Sequence, residues 1–331
     1  MLMKIFIADF IPDQSVIDFL CGQKLSLNSS NLFSNINQVA SLERSDAVLV
    51  PHDAYEFAAN DDYMKYINNI SKKKIVIFSD RSDFPVCPKI GNSISLRVAV
   101  NPGENKYNKI VVPYSILSLD QLPLRDYKLQ PMINFTGFVP KIISPKRFLK
   151  SVKLNPQNFM INNSAILRNL SIRKCEKQLD NFSFTKRSYY YKSSKKYDER
   201  NIDRNEFLKN TSNSDIILAP RGDANQSQRF YETLSSGRIA LLPNSKMMFP
   251  KVYLQSDIFK ISTIMFSISE LSLDKIVYNF WEKIQNTRNY HLRQEKIKKF
   301  YNDELNFDIF IKKLFSNNLD YIKSLANYRC I

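Results

Sequence analysis

The fold of this chain is best read from residues 215–243, DIILAPRGDANQSQRFYETLSSGRIALLP. The apolar run Ile216–Ala219 predicts a buried strand, and Pro220 ends it because proline lacks a backbone N–H. Gly222 follows where the chain has to turn, and the absence of a Cβ lets the backbone pass close to a ligand. A second apolar run, Ile239–Leu242, predicts the next strand.

A helix is predicted between these two strands. Asn225 is a suitable N-cap and Gln228 stands three residues later, as in a capping box, so the helix is expected to begin near Gln226. Gly237 is expected to end it, because glycine accepts the left-handed conformation that closes many helices. The chain has only six glycines, so the placing of two in this short stretch indicates specific backbone requirements.

The predicted helix has two different faces. Phe230 and Leu234 share one face and are expected to pack on the sheet, whereas Arg229 and Glu232 share another that points along the strand ends. Such a unit offers a nucleotide diphosphate backbone N–H groups, a guanidinium for its phosphates and a carboxylate for its ribose hydroxyls. An ordinary βαβ unit with an Arg–Glu surface pair fits the same pattern, and periodicity does not decide between the two.

Strands and helices alternate on both sides of this unit, which predicts an α/β protein with parallel sheets. A crossover helix is expected over Tyr55–Ser71 and another helix over Ala165–Lys177. From Leu271 onward no glycine or proline interrupts the chain, which predicts a helical tail. The other predicted strands are Lys4–Ala8, Ala47–Val50, Lys74–Ser79, Ser95–Val100, Lys109–Val112, Met132–Val139 and Phe182–Tyr191.

Two Rossmann-like lobes are expected, because 331 residues exceed one average domain. Ser118–Pro131 contains prolines and charges but little apolar periodicity, which is typical of a linker. The lobes are therefore placed at residues 1–125 and 131–295. The last helix, over residues 300–331, is expected to pack back on the first lobe.

The composition is that of a packed, strongly basic globular protein. Lys plus Arg number 48 against 32 Asp plus Glu, a formal charge of +16, so the surface is expected to attract phosphates, nucleic acid or an anionic membrane. The four cysteines lack a C-x-x-C pair and there are two histidines, which argues against a zinc site or disulfide framework and favours reduced thiols. The basic segment Arg187–Arg204 is read as a loop, either simply solvated or in contact with a phosphate or anionic surface.

The expected location is cytoplasmic. Met1–Phe10 is a short apolar run without the basic start, long apolar core and cleavage site of a signal peptide. No stretch of the sequence reaches the roughly 18 apolar residues that a membrane-spanning helix needs. Membrane contact is therefore expected to be peripheral, at the inner membrane face, through the positive charge.

The stretch that opens this section resembles the signature of the exostosin family, glycosyltransferase family forty-seven. In that family a strand ends in Pro-Arg-Gly, followed by Ser-x-Arg-x-x-Glu, a glycine and an apolar strand. This chain has Pro220–Gly222, Ser227–Glu232 and Gly237 in the same order. It departs from the family at Arg238, where cysteine is common, and at Ala240–Leu241, where Pro-Val is common, and these departures leave the subfamily open.

The resemblance extends over most of the chain. Glu43–Pro51 is similar to the family's acidic residue, Ala-Asp, apolar strand and proline, and Lys109–Tyr114 to its apolar strand ending in Pro-Pro-Tyr. Phe135–Gly137 is similar to the Phe-x-Gly that begins the second lobe, and Arg168 matches a family arginine less closely. Family members have the GT-B fold, with a cleft between two Rossmann-like lobes, and transfer sugars from nucleotide donors, usually UDP-sugars, with inversion.

The resemblance implies an inverting hexosyl- or pentosyltransferase that acts on a glycan acceptor in polysaccharide, lipopolysaccharide or other glycoconjugate synthesis. The positive charge fits a lipid-linked glycan as that acceptor. Glu232 is expected to hydrogen-bond the donor's ribose, and Arg229 with Arg168 to pair with its diphosphate. Arginine suits this role because its charge persists and its fork binds two phosphate oxygens. The implied donor-binding residues are Arg168, Arg221, Gly222, Ser227, Arg229 and Glu232.

No cofactor is expected, because the nucleotide-sugar is a substrate and the sequence has no Asp-x-Asp triplet to hold a metal-bound diphosphate. Metal-independent activity is therefore predicted. Inverting transfer needs a base near the acceptor hydroxyl, and the first lobe offers His52, Asp53 and Glu56 after a predicted strand, with Asp80 and Asp83 behind them. A structural role fits the same residues, with Asp53 as a helix cap and His52 as a surface histidine.

Two other classes of function fit part of this pattern. A catalytically inactive sugar- or nucleotide-binding scaffold would keep the fold, although the Arg229 and Glu232 pair is present here. A basic nucleic-acid-binding protein would explain the charge, but the basic residues are dispersed and no recognition motif is apparent. Salt-sensitive binding without donor hydrolysis would indicate that last class.

Overall fold

The computed structural model describes residues 3–7, 37–50, 61–80, 90–98, 100, 109–139, 156–187, 197–222, 225–245, 247–317 and 319–326. The chain divides into two compact units. The first contains Met1–Pro113, Met248–Lys251 and Phe307–Ile331, and the second contains Tyr114–Met247 and Val252–Asn306. The division therefore comes before the predicted linker, and the chain returns to the first unit at Phe307.

The described residues form parallel strands and helices in alternation. The strands are β1 (Lys4–Ile7), β2 (Asn37–Gln38), β3 (Ala47–Val50), β4 (Ile75–Asp80), β5 (Ser93–Arg97), β6 (Lys109–Val111), β7 (Ile133–Phe138), β8 (Phe182–Arg187), β9 (Ile216–Leu218), β10 (Ile239–Pro243) and β11 (Thr263–Phe266). The helices are α1 (Asp61–Ser71), α2 (Pro156–Gln178), α3 (Tyr197–Ser212), α4 (Gln228–Ser235), α5 (Lys251–Leu254), α6 (Asp257–Ser262), α7 (Leu273–Glu282), α8 (Thr287–Phe300), α9 (Phe307–Ser316) and α10 (Leu319–Ala326), and a π-helical turn (Tyr301–Leu305) follows α8.

The first unit is built on a six-stranded parallel sheet in the order β2-β1-β3-β4-β5-β6. All four residues of β3 are buried, as expected for a central parallel strand covered on both faces. Ile67 and Ile70 of α1 pack into the same core cluster as Val48 and Phe78 of the sheet. The C-terminal helices belong to this unit, and α10 lies against β6.

The second unit is built on a five-stranded parallel sheet in the order β11-β10-β9-β7-β8. Its central strands β9 and β10 are wholly buried, and their side chains share a core with Trp281 of α7 and Cys175 of α2. Cys175 is a free cysteine, and burial raises the pKa of its thiol to about 12. This thiol therefore stays protonated and unreactive at neutral pH.

Both units use one strand order. Counted along its own chain, each sheet runs 2-1-3-4-5, with a sixth strand added at the edge in the first unit. In doubly wound α/β sheets the ligand lies outside the carboxyl ends of the strands, where the strand order reverses. In the second unit that point lies between β7 and β9, and β9 is the first strand of the 215–243 stretch.

The predicted α/β class with two Rossmann-like parallel sheets is confirmed, and GT-B proteins belong to this class. β3 has the predicted bounds, and the other predicted strands are present with shifted ends. The strands β2 and β11 and the helices α3, α5 and α6 were not predicted, because they are short or polar and lack a clear apolar period. None of the described helices is long and apolar enough to cross a membrane.

Gly237 ends α4, as predicted. It has a φ of +72°, and its N–H donates to the Leu234 carbonyl at 2.9 Å while Arg238 N–H donates to the Thr233 carbonyl at 3.0 Å. These two bonds define a Schellman motif. A Cβ at Gly237 would lie 2.9 Å from the carbonyl oxygen of Gln294, so both conformation and space require glycine here.

The predicted linker, residues 118–131, is instead a strap that lies on the second unit without forming a helix or strand. Its Leu119 N–H donates to Ser235 Oγ at 3.1 Å. The indole Nε1 of Trp281 donates to the Lys128 carbonyl at 2.7 Å, and the indole ring stacks on Tyr127 with centroids 5.3 Å apart. These contacts fasten the strap to the second unit, and the sequence analysis did not predict them.

Arg238, the departure from the family signature, is fully buried beneath this strap. Its Nη1 donates to Gln294 Oε1 at 2.6 Å and its Nη2 to the Pro123 carbonyl at 2.8 Å. The nearby Asp215 carboxylate accepts from Arg125 Nε at 2.6 Å. Arg238 therefore fastens the strap to α8 through hydrogen bonds that a cysteine could not make.

The segment Arg187–Arg204 was predicted as a loop, but its described parts are the last residue of β8 and the first half of α3. The helical tail is also interrupted, because Gln285 has a φ of 71°. Asn286 then caps α8 by accepting from the Asn289 N–H at 2.9 Å.

Candidate functional site

Arg168, on α2, bridges the two strand ends at the point where the strand order of the second unit reverses. Its Nη1 donates to the carbonyl oxygen of Phe138, at the end of β7, at 2.7 Å. Its Nη2 donates to the carbonyl oxygen of Arg221, just after β9, at 3.1 Å. The guanidinium is thus fixed at the place where a doubly wound sheet binds its ligand.

The turn after β9 is organised by Arg221, which is buried. Arg221 Nη1 donates to Asn225 Oδ1 at 3.1 Å, so the Asn225 side chain serves the turn rather than the helix. The predicted N-cap at Asn225 was therefore wrong. α4 begins at Gln228 with Ser227 as its N-cap, and within the described residues the Ser227 side chain makes no capping hydrogen bond.

Gly222 lies in the same turn, beside Arg168. Its N–H donates to the Gln226 carbonyl at 3.0 Å. A Cβ added at this glycine would lie 3.8 Å from Arg168 Nη2 and 3.9 Å from the Gln226 carbonyl oxygen, which is ordinary contact. The fold itself therefore has room for a methyl group, and what the glycine keeps open is the space next to the Arg168 guanidinium.

Glu232 is held by two arginines from different helices. Arg229 Nη1, on the same helix α4, donates to Glu232 Oε2 at 3.0 Å, and Arg204 Nη1, on α3, donates to Oε1 at 3.0 Å. Only 8% of the Glu232 side chain is exposed. The predicted Arg229–Glu232 pairing on one helix face is present, and the structure adds Arg204 to it.

Phe207 of α3 supports both guanidiniums. The Arg229 Cζ lies 3.8 Å above the centroid of its ring and the Arg204 Cζ lies 5.1 Å away, within the range of a cation–π interaction. Desolvation lowers the pKa of Arg229, and the Glu232 carboxylate opposes that effect. Three other arginines lower the same pKa further, in the order Arg187, Arg204 and Arg168.

These four arginines lie close together and give the site an excess of positive charge. Arg187, the last residue of β8, donates through Nη2 to the Asp203 carbonyl at 2.6 Å and to Glu206 Oε2 at 2.8 Å. Both acceptors are on α3, which is thereby fixed to the sheet. Among the described residues no three His, Cys, Asp or Glu side chains are grouped as a metal-binding set.

The structure brings together all six predicted donor-side residues on or beside α2, α4 and the turn between β9 and α4. Ser227 is buried, and its carbonyl accepts from the Phe230 N–H at 3.1 Å. Arg187, Arg204 and Phe207 were not predicted as site residues. Arg187 and Arg204 are the two ends of the predicted basic loop, which was interpreted either as solvated or as in contact with a phosphate or anionic surface. Without a helix prediction for α3, neither arginine could be placed at the site.

The candidate bases on the first unit lie mostly outside the described residues. This holds for His52, Asp53, Glu56 and Asp83. Asp80 is the last residue of β4 and pairs in register with Arg97 of β5, so its backbone lies at the carboxyl edge of the first sheet. The base assignment stays a prediction.

No protein-family model and no curated protein matches this chain. Among solved structures, AviGT4, a glycosyltransferase involved in avilamycin A biosynthesis, is similar at 11% identity and a TM-score of 0.35, over 98% of each chain. TarM is similar at 11% identity and a TM-score of 0.32, over 80% of this chain and 57% of its own. The catalytic domain of starch synthase IV from Arabidopsis thaliana, bound to ADP and acarbose, is similar at 11% identity and a TM-score of 0.30, over 92% and 62%. This chain thus spans less than two thirds of the last two structures, and likenesses this distant do not assign a function.

Proposed function

We propose that this chain is an inverting, metal-independent glycosyltransferase of the GT-B type. It would move a sugar from a nucleotide-sugar, with UDP as the first nucleotide to test, to a glycan acceptor. Support comes from the ordered Pro-Arg-Gly and Ser-x-Arg-x-x-Glu signature together with the place of its residues, at the carboxyl ends of β7 and β9.

Glu232 is the observation that carries the proposal. A carboxylate that two arginines hold in place can accept further hydrogen bonds from ribose hydroxyls. Arg229 and Arg168 would supply the cationic groups that a diphosphate needs, and Arg221 with Gly222 would shape the pocket for the sugar-phosphate. During transfer the leaving diphosphate gains negative charge, so arginines already in place would stabilise that charge and accelerate the reaction.

The donor site is tested by titrating UDP and UDP-sugars into the wild type and Glu232→Ala in a calorimeter. We expect at least about a tenfold loss of affinity, because a hydrogen bond to a charged group is lost. The matched control is Lys260→Ala, which removes the exposed ion pair of Lys260 with Asp257, also three residues apart on a helix. Unchanged UDP affinity in Glu232→Ala would contradict the assignment of Glu232 to the donor site.

Metal independence is tested separately, on turnover. The proposed donor-side residues are arginines, which neutralise phosphate without a metal ion. We expect the transfer rate in EDTA to equal the rate in magnesium or manganese. A rate that EDTA abolishes and manganese restores would contradict this part of the proposal.

The base would come from the first unit, from His52, Asp53 or Glu56, with Asp80 and Asp83 as further candidates. The expected result for substitution of the true base by Ala is a lost transfer rate with unchanged UDP affinity, because the base serves the acceptor only. If the wild type binds a nucleotide-sugar but transfers its sugar to no acceptor, the chain is instead a binding scaffold.

The acceptor class we propose is a lipid-linked glycan at the inner membrane face, which the charge of +16 supports. Sedimentation with vesicles of anionic lipid, weakened by salt, is the expected result. Equal sedimentation with neutral and anionic vesicles would contradict a charge-driven contact.

A further inference from the structure

Arg204 joins the site through the fold alone, since it lies on α3 and 28 residues separate it from Glu232. It holds Oε1 of the carboxylate, and Arg229 holds Oε2. Each oxygen therefore has its own guanidinium, on its own helix. With only one of them the carboxylate could turn about the remaining contact.

The Glu232 carboxylate can accept further hydrogen bonds on both of its oxygens. An ionised carboxylate offers about four acceptor positions, two on each oxygen. Within the described part of the chain, one position on each oxygen is taken by an arginine N–H, which leaves one on each. Two free positions on neighbouring oxygens match two hydroxyls on neighbouring carbons, as in an intact ribose.

Phe207 restrains the arrangement further. Its ring is 4% exposed and lies under both guanidiniums. α3, which carries both Arg204 and Phe207, is tied to the sheet by Asn210, whose Nδ2 donates to Thr136 Oγ1 at 3.0 Å and Thr185 Oγ1 at 3.1 Å. The guanidinium of Arg204 thus comes from an element that is itself fixed.

We infer that Arg204 is a positioning residue that orients the Glu232 carboxylate toward the two hydroxyls of a ribonucleotide. The site then prefers a ribonucleotide to its 2′,3′-dideoxy counterpart, and Arg204 sets the size of that preference. This inference rests on the proposed function, because it takes the ligand to be a nucleotide. In this inference Arg204 affects binding of the ribose through Glu232 and does not contact the phosphates, because its guanidinium donates to the Glu232 carboxylate.

The test compares the affinities of UDP, 2′,3′-dideoxy-UDP and UMP for the wild type and for Arg204→Ala, by calorimetry. In the wild type we expect UDP to bind at least about tenfold more tightly than the dideoxy compound. In Arg204→Ala that ratio should fall to about threefold or less, because the carboxylate is no longer aligned. The ratio of UDP to UMP, which reports the second phosphate, should stay unchanged.

Arg204→Lys separates alignment from charge. Lysine keeps the cation but presents a point charge in place of a planar fork, so the ribose preference should fall between the wild type and Arg204→Ala. The matched control is Arg293→Ala on α8, which removes another arginine packed on an aromatic ring, 5.3 Å from the Phe280 centroid. Both ratios, UDP to the dideoxy compound and UDP to UMP, should equal those of the wild type in this control.

The outcomes separate this inference from the proposed function. A wild type that binds no nucleotide overturns both. A wild type that prefers UDP to the dideoxy compound, with the same preference in Arg204→Ala and Arg204→Lys, overturns the inference alone. If the ratio of UDP affinity to UMP affinity falls in a variant, Arg204 contacts the phosphate directly, and that result also overturns the positioning role.

Discussion

Gly222 and Gly237 lie in the same stretch of sequence, but we expect glycine to be needed for ligand binding at Gly222 and for the backbone conformation at Gly237. A Cβ at Gly222 meets only ordinary contacts, so we expect the stability of Gly222→Ala to stay within about 0.5 kcal/mol of the wild type. The added methyl group would fill the space beside Arg168 that a diphosphate would occupy. Urea unfolding combined with UDP titration should therefore show a folded protein with at least about tenfold weaker binding, and undiminished binding would contradict a ligand at this turn.

Gly237→Ala is the opposite case. Its φ of +72° is unfavourable for alanine, and the new Cβ would lie 2.9 Å from a backbone oxygen. We expect a loss of about 1–3 kcal/mol in the free energy of unfolding, measured by urea denaturation at a UDP concentration of zero. If the urea unfolding curves of Gly237→Ala and the wild type coincide, the Schellman motif that ends α4 is not needed for stability.

At the scale of elements, the strap depends on Arg238. Replacing it by the cysteine common in the exostosin family would take the Arg238 donor from the Pro123 carbonyl and leave Gln294 Oε1 with the Arg125 N–H. It would also leave Asp215 with less positive charge nearby. We expect Arg238→Cys to cost about 1–3 kcal/mol, because a buried acceptor loses its donor, and to speed hydrogen exchange at strap amides such as Leu119. Arg288→Ala, at an exposed position on α8, is the control. Exchange that stays slow in Arg238→Cys would show that the strap holds without the buried guanidinium.

The elements also show what could be predicted from sequence. The Arg229–Glu232 pair was predicted because residues three apart on a helix are neighbours wherever the helix lies. Arg204 was not, because its place beside Glu232 follows from how α3 and α4 pack on the sheet. The contacts of the strap were not predictable, because prolines and charges look alike in sequence whether water or buried partners satisfy them. The central strands were predictable because burial on both faces demands continuous apolar runs.

At the scale of the whole molecule, the chain ends contribute to stability at a distance in sequence. α9 buries Phe310, Leu314 and Phe315 in the first unit, and removing such residues costs about 2–5 kcal/mol each. Since a domain is stable by only about 5–15 kcal/mol, deletion of residues 307–331 should unfold the first unit. Hydrogen exchange should become fast in β4 and β5.

The same deletion should leave slow exchange in β9 and β10, which belong to the second unit. Lys312→Ala, at an exposed position on α9, serves as the control and should leave both units protected. Equal loss of protection in the two units would show that they unfold as one.

Trp281 gives the strap an optical property. The chain has a single tryptophan, buried, stacked on Tyr127 and hydrogen-bonded to the Lys128 carbonyl. All indole emission therefore comes from one position, directly beneath the strap. Release of the strap would place that indole in water and shift its fluorescence to longer wavelength, so its detachment can be followed in real time without a label.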